Sequence, residues 1–144
     1  MTDDRKLAVQ ADAGLAVLRV LVGVIFMAHG AQKAFVWGLA GVQAGFGQMG
    51  IPLPEVTAVL ITGLELLGGA ALVLGLLTRL AAVGLAIDML GAMLLVHLSA
   101  GFFAPDGVEF TLALFGAAVA LALMGAGGFS VDGVLARRRG VAVA

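Results

Sequence analysis

The first long apolar stretch of the chain, residues 15–35, combines the length of a membrane-spanning helix with three basic side chains. Its sequence, LAVLRVLVGVIFMAHGAQKAF, has the roughly 20 residues that an α-helix needs to cross the hydrocarbon of a bilayer. It nevertheless contains Arg19, His29 and Lys33. Ionisable side chains are costly in hydrocarbon and usually face other helices or a water-filled cavity. We therefore predict a spanning helix whose polar side faces the interior of a helix bundle.

The composition of the chain also requires a membrane. Of its 144 residues, 62% are hydrophobic and 12% are charged, whereas soluble domains have about 45–50% and about 25%. A soluble domain of this size leaves roughly a third of its surface exposed, so it cannot hide this much apolar surface. The net charge of −1 comes without a basic, aromatic-rich surface, so no nucleic acid is expected. We predict a multi-pass protein of the inner (plasma) membrane.

Four apolar segments predict an all-α fold, an integral membrane four-helix bundle over residues 15–126. The predicted spans are 15–35, 55–77, 79–100 and 109–126. Residues 36–54 are rich in glycine, and we expect an irregular or partly helical loop at the outer interface instead of a fifth span. Residues 1–14 form an N-terminal segment, and residues 127–144 form a basic tail. The first span is longer than the core of a cleaved signal peptide, so we expect it to be retained.

The distribution of Lys and Arg predicts that both termini are cytoplasmic. That orientation places six basic residues on the inner side: Arg5, Lys6, Arg79, Arg137, Arg138 and Arg139. Lys33 is then the basic residue of the outer side. The cytoplasmic tail is expected to include a short amphipathic helix, capped by Ser130 or Asp132 and held by its arginines to anionic lipid.

A helical turn of 100° per residue places the polar residues of each span on a face of small residues. These faces are Arg19, Gly23, Phe26, Gly30 and Lys33 on the first helix, Glu65, Gly68 and Gly69 on the second, Asp88, Gly84 and Gly91 on the third, and Glu109, Ala113 and Gly116 on the fourth. Faces of small residues let membrane helices approach closely. We expect these four faces to form the interior of the bundle.

Four residues in or near the outer half of the membrane are predicted to form a polar pocket and are the candidate catalytic residues: His29, Lys33, Glu65 and Glu109. Together they can bind an anion, hydrogen-bond a quinone carbonyl or pass protons. A purely structural alternative is an ion pair of Lys33 with Glu65 or with Glu109 that fixes the order of the helices.

Arg19 and Asp88 are predicted to form a structural ion pair nearer the inner side. His97 lies nine residues after Asp88, about 180° around the same helix, so both cannot face one bundle axis. His97 can snorkel at the interface, face a neighbouring subunit or lie beyond a helix kink. Axial haem ligation by His29 and His97 is disfavoured for the same reason. The sequence contains no metal-binding motif, so no metal is expected.

Several short motifs, in order along the chain, resemble the DoxX family of small bacterial and archaeal membrane proteins. They are Arg19, Gly23, Phe26 and His29-Gly30-Ala31-Gln32-Lys33, then Glu65 with Gly68-Gly69, then Gly75-Leu76-Leu77-Thr78-Arg79, then Gly107-Val108-Glu109, and finally Gly125-Ala126-Gly127-Gly128-Phe129-Ser130-Val131-Asp132. The resemblance covers roughly residues 14–135 and implies a four-helix membrane bundle. Named relatives are associated with thiosulfate:quinone oxidoreductases and with oxidoreductase assemblies that act against oxidative or thiol stress.

Two classes of function follow. In the first, the chain is a DoxX-like subunit of a quinone-linked oxidoreductase; Lys33 and His29 donate hydrogen bonds to the quinone, and Glu65 or Glu109 relays protons. The alternative is a non-catalytic accessory or assembly subunit that packs against a larger membrane complex or in a homo-oligomer. A carrier that uses Glu65 and Asp88 is less favoured, because no inverted repeat is evident. Without cysteine, redox chemistry here requires a bound cofactor or a partner subunit.

Overall fold

The computed structural model describes residues 3–140, and all regular secondary structure in that range is helical. The helices are α1 at Asp3–Ala31, α2 at Gly38–Gln48, α3 at Pro54–Leu74, α4 at Thr78–Ala100, α5 at Glu109–Met124 and α6 at Val131–Arg138. A π-helical turn at Gln32–Trp37 connects α1 to α2. The predicted all-α fold is therefore confirmed. The ends of the chain at 1–2 and 141–144, which include part of the predicted tail, lie outside the described residues.

Three helical runs are long and apolar enough to cross a bilayer: Asp3–Gln48, Pro54–Leu74 and Thr78–Ala100. α5 is also apolar but has 16 residues, a length of about 24 Å compared with about 30 Å of hydrocarbon. The four predicted spans thus correspond to three helices of full spanning length and one shorter apolar helix.

α1 begins at Asp3, well before the predicted start of the first span. Asp3 and Asp4 lie in its first turn, where carboxylates interact favourably with the partial positive charge of a helix N-terminus. Residues 3–14, predicted as a separate N-terminal segment, are therefore a continuation of the first helix.

The segment 36–54, predicted as an irregular or partly helical loop, contains the 11-residue helix α2 and is therefore partly helical. Gly38 has a φ of +69°, a conformation that glycine adopts without the steric cost that a Cβ imposes. The chain can therefore change direction between α1 and α2. α2 packs against the first turns of α3, so this connection covers one end of the bundle.

α1, α3, α4 and α5 pack around a common apolar core. Its best-buried large side chains are Phe26 of α1, Leu72 of α3, Leu85 of α4 and Leu121 of α5, each at most 1% exposed. Each of the four helices thus contributes at least one side chain to the same core, as expected of a helix bundle.

α1 and α3 approach so closely that glycine is required at their contact. A Cβ on Gly23 would lie 2.6 Å from the carbonyl oxygen of Gly69, which is closer than atoms can approach. Small residues allow this kind of packing where the hydrophobic effect does not hold helices together. The predicted interior stripe of the first helix is confirmed for Arg19, Gly23, Phe26 and Gly30, all of which are buried.

The inward face of α5 differs from the predicted one. Ala113 and Gly116 are exposed, and a Cβ on Gly116 would meet nothing within 4 Å. The buried side consists of Thr111, Leu114, Ala118 and Leu121. The prediction assumed that Glu109, the first residue of the helix, faces the interior. Its carboxylate bonds instead to the preceding loop, so the face aligned on Glu109 is not the buried one.

The predicted helix of the C-terminal tail is α6, and Ser130 is its N-cap. The Ser130 hydroxyl oxygen accepts a hydrogen bond of 2.9 Å from the backbone N–H of Gly133, which satisfies a donor of the first turn. Of the two predicted caps, Ser130 therefore has this role. Asp132 lies within α6 and has other partners.

Asp132 ties α6 to the turn between α3 and α4. Its two carboxylate oxygens accept hydrogen bonds of 2.9 and 3.0 Å from the backbone N–H groups of Leu77 and Thr78, and its own N–H donates to the carbonyl of Gly75. A carboxylate at the N-terminus of α4 is also favoured by the helix dipole. The segment 125–133, called here the closing segment, thus closes the end of the bundle where the α3–α4 turn lies.

Candidate functional site

Three π-helical turns occur in the long helical runs, and each contains an ionisable residue. The turns are Gln32–Trp37 after α1, Leu64–Gly68 within α3 and Met93–His97 within α4. The ionisable residues are Lys33, Glu65 and His97. A π turn accommodates one more residue than an α-helical turn and occurs frequently at functional sites. All three turns border the same cavity.

This cavity has a volume of about 340 Å³ and lies between the π turn Gln32–Trp37, α2, α3 and α4. Its wall is mainly apolar but includes four ionisable side chains: Lys33, Glu65, Asp88 and His97. Small-molecule sites typically have volumes of about 300–1,000 Å³, apolar walls and a few convergent polar groups. The cavity has these properties and is the candidate functional site.

The mouth of the cavity lies among exposed apolar side chains. Ile87 and Leu95 line the cavity and are 66% and 57% exposed. Both belong to α4, which has spanning length, so their exposed surfaces face the acyl chains of the bilayer. Trp37 contributes a further half-exposed wall side chain from the end of the first π turn. The cavity therefore opens toward the apolar outer surface of α4.

Lys33 and Glu65 form an ion pair in the wall of the cavity. Lys33 Nζ donates to Glu65 Oε2 at 2.5 Å, and the two side chains are 12% and 4% exposed. The sequence left open whether Lys33 pairs with Glu65 or with Glu109, and the structure pairs it with Glu65. The lysine has three N–H groups, and this contact uses one of them.

Asp88 lines the same cavity and is 7% exposed. Its Oδ2 atom has no hydrogen-bond partner within the described part of the chain. An unpartnered polar atom in a low-dielectric interior costs free energy and therefore requires an explanation. In this molecule the atom belongs to a residue that lines the candidate site.

The predicted ion pair of Arg19 with Asp88 is not formed. The Arg19 guanidinium donates instead to three backbone carbonyls, those of Leu72 and Val73 at 2.7 and 2.8 Å and that of Phe129 at 2.7 Å. Leu72 and Val73 belong to the last turn of α3, where carbonyls lack helical partners and the helix dipole favours a cation. These acceptors lie closer to Arg19 than the carboxylate that the sequence suggested.

His97 lies on the cavity wall, although uniform α-helical geometry placed it opposite Asp88. The turn Met93–His97 accommodates one extra residue, so the angle between the two side chains falls from about 180° to about 80°. Of the three alternatives for His97, the structure comes nearest to the helix kink, since a π turn interrupts the regular α-helix at this residue. Its Nδ1 lies 2.7 Å from the carbonyl oxygen of Asp106 in the loop before α5.

His29 and Glu109, two of the predicted pocket residues, lie elsewhere. His29 is exposed, bonds through Nδ1 to the carbonyl of Ile25 and lies beside the ring of Phe110. Glu109 accepts a hydrogen bond of 2.6 Å from the backbone N–H of Ala104 and so holds the loop before α5. The structure thus brings together two of the four predicted residues and adds Asp88 and His97 to them.

His29 and His97 line different concavities, so the arrangement does not favour haem ligation by this pair. Among residues 3–140, no group of three or more His, Asp or Glu side chains is placed to hold a metal ion.

Helices of spanning length that enclose a partly polar cavity with a mouth in the lipid define a multi-pass membrane protein. The family model described as DoxX matches residues 14–98, and the chain belongs to the DoxX family. The resemblance carried by the motif residues is therefore confirmed. The family and the spanning helices also confirm the predicted location in the cell membrane.

Three relatives show the breadth of the similarity. The chain is 36% identical over 121 residues to "Putative oxidoreductase CatD" of Bacillus subtilis (strain 168), which covers 84% of this chain and 86% of that protein. It is 37% identical over 107 residues to "Uncharacterized membrane protein Rv3486" of Mycobacterium tuberculosis, covering 72% and 65%. It is 33% identical over 132 residues to "Inner membrane protein YqjF" of Escherichia coli, covering 88% and 95%. No solved structure matches the chain significantly.

Proposed function

We propose that this chain is the membrane subunit of a quinone-linked redox system and that the cavity between the π turn Gln32–Trp37, α2, α3 and α4 binds the quinone head group. The observation that carries the proposal is the cavity itself, in which four ionisable side chains lie within an apolar wall whose mouth faces the acyl chains. A lipid-soluble quinone has a polar ring and an apolar tail, and this arrangement suits both. One relative is named as an oxidoreductase, which supports the same class of function.

The roles in this proposal follow from the contacts. Lys33 has N–H groups beyond the one that bonds to Glu65, so it can donate to an oxygen of the ring. Glu65 and Asp88 are buried carboxyls in the same wall and can take up or release a proton there. His97 replaces His29 as the imidazole of the site, because His29 does not line the cavity.

We also propose that both termini are cytoplasmic, which places the cavity in the outer half of the bilayer. The basic residues Arg5, Lys6, Arg79 and Arg137–Arg139 lie near the ends of helices at one side of the bundle, while Lys33 lies toward the other. The chain has no cysteine, so single cysteines report the orientation directly. In intact cells, an impermeant maleimide should label Ser99→Cys and not Gln10→Cys; the reverse pattern contradicts this orientation.

Quinone binding can be tested with the protein's own fluorophore. Trp37 is the single tryptophan of the chain and lines the cavity. A short-tailed quinone should quench its fluorescence in a saturable manner when it is titrated into the purified protein in detergent or nanodiscs. Quenching that rises linearly, without saturation, would indicate only collision or partition.

A matched pair of variants assigns the binding to this cavity. Gly91 lines the cavity and Gly116 lies on the exposed side of α5, and a Cβ at either position meets nothing within 4 Å. Gly91→Leu should fill the cavity and abolish saturable quenching, whereas Gly116→Leu should leave it unchanged. Equal binding by both variants would remove the proposal and favour the accessory role, in which the chain packs against a larger complex.

A further inference from the structure

The tautomer of His97 is determined by its contact with the loop before α5. Its Nδ1 lies 2.7 Å from the carbonyl oxygen of Asp106, and a carbonyl oxygen can only accept a hydrogen bond. Nδ1 therefore carries the proton, and in the neutral imidazole Nε2 has a free lone pair. The sequence could not indicate this, because it left the orientation of His97 open. His97 thus contributes a hydrogen-bond acceptor to the cavity.

Asp88 contributes a second acceptor to the same wall. Its Oδ2 is buried without a partner within the described residues, and a carboxyl oxygen keeps acceptor capacity in either protonation state. The donor nearby is Lys33, which uses one N–H group for Glu65 and has two more, while the Thr57 hydroxyl donates to the carbonyl of Pro52. Lys33 can donate to a ring oxygen in either oxidation state, so the acceptors on His97 and Asp88 are the groups that distinguish the two forms.

Both acceptors belong to residues of α4 that line the same cavity. A hydroquinone has one hydroxyl group at each end of its ring and can donate a hydrogen bond from either of them. An oxidised quinone has carbonyl oxygens at those positions and cannot donate to either acceptor.

We propose that the cavity preferentially binds the reduced, dihydroxy form of the ring, and that His97 Nε2 accepts the hydrogen bond from one of its hydroxyl groups. The inference rests on the proposed function, since it assumes that a head group of the quinone class enters the cavity. It goes beyond that function in stating which oxidation state is bound and which atom selects it. One additional hydrogen bond corresponds to a preference of up to about tenfold.

The test compares both oxidation states and two replacements of His97 that divide the functions of the imidazole. The probe is a short-tailed benzoquinone and its hydroquinone, and affinities are measured anaerobically by calorimetry on the full chain in nanodiscs. His97→Asn can still donate to the Asp106 carbonyl but lacks an acceptor at the Nε2 position. His97→Gln places an amide oxygen near the Nε2 position but lacks the Nδ1 donor. Thermal melting in detergent confirms that both variants are folded.

The wild-type chain should bind the hydroquinone about tenfold more tightly than the quinone. This preference raises the midpoint potential of the bound two-electron couple by about 30 mV per tenfold. His97→Asn should show a clearly weaker preference, because only the Asp88 acceptor remains, and His97→Gln should retain more of it. Equal affinities in the wild type, or an unchanged preference in His97→Asn, would overturn the inference and leave the proposed function intact. If neither form binds the wild type, the proposed function fails, and this inference fails with it.

Discussion

Buried and half-buried polar side chains occur at two levels of this bundle, and their hydrogen bonds are satisfied in different ways. Near the closing segment, Arg19 donates to three backbone carbonyls, and Asp132 accepts from two backbone N–H groups. In the cavity, Lys33 and Glu65 bond to each other through side chains, and Asp88 Oδ2 has no partner among residues 3–140. The first set is bonded to the backbone, and the second lines space that a ligand can enter.

The difference teaches that an ionisable residue in a membrane helix does not by itself indicate a functional site. A group bonded to backbone carbonyls can leave only if helix ends and turns rearrange, so Arg19 stabilises the fold. A side-chain pair beside a cavity can exchange partners with little change in the backbone. The number and type of hydrogen-bond partners therefore distinguish an ionisable residue that stabilises the fold from one that lines a functional site. Both kinds carry a charge and lie in segments of similar hydropathy. Three substitutions test this separation, from the largest expected effect to the smallest.

Arg19→Leu should have the largest effect on stability. The substitution leaves three carbonyls without their donor in a site where Arg19 is 2% exposed, and each buried acceptor left without a partner costs about 1–3 kcal/mol. Unfolding in SDS, followed by far-UV circular dichroism, measures the change. Arg19→Lys is the control, because it keeps the charge but not the forked geometry of the guanidinium. Its stability should lie between those of the wild type and Arg19→Leu. If Arg19→Leu were as stable as the wild type, the contacts of Arg19 near the closing segment would not stabilise the fold as stated.

Lys33→Met should have an intermediate effect on stability and should abolish quinone binding. It removes a charged hydrogen bond to Glu65, worth about 1.5–3 kcal/mol. The double variant Lys33→Met, Glu65→Leu should recover most of this loss, because replacing both members of a buried pair is often neutral. The same unfolding assay measures stability, and Trp37 quenching measures binding. A double variant that still binds quinone would exclude Lys33 and Glu65 from the site.

Asp132→Ala should have the smallest effect, a loss of about 1 kcal/mol, which is typical of a lost helix cap. The backbone N–H groups of Leu77 and Thr78 lose their acceptor in this variant. Asp132→Asn retains one acceptor oxygen and should lose less. Neither variant should alter quinone affinity, since Asp132 does not line the cavity. A change in affinity without a change in stability would contradict the separation of the two levels.

The sequence predicted the parts of the fold that follow from apolar length and uniform helical periodicity. The buried stripe with Gly23 and Phe26 lies where a turn of 100° per residue placed it, and Lys33 meets Glu65 as one of two alternatives. The extension of α1 to Asp3 was not predicted, because a hydropathy threshold marks where a membrane span begins and not where a helix does. The helix of residues 38–48 was only one of the possibilities for its segment.

The candidate site was predicted less well, and the errors have identifiable causes. The orientation of His97 was left open among three alternatives, because a helical wheel counts no extra residue in a π turn. Arg19 was matched to the nearest opposite charge, although helix-end carbonyls are strong acceptors that charge counting ignores. Glu109 was taken as an inward residue, but it bonds to its own loop. The signal that pointed to His97 was its presence as an ionisable residue in an apolar segment.

The extra residue in each π turn has a consequence for how such a cavity can diversify. Deleting one residue within Met93–His97 would let the backbone relax to ordinary α-helical bonding, so the span would persist. Residues beyond the deletion would keep their present faces, because a π turn accommodates its extra residue without turning the helix further. A change of a single codon within the turn can thus remove or replace a group offered to a ligand, whereas the rest of the span and its apolar exterior continue to suit the lipid.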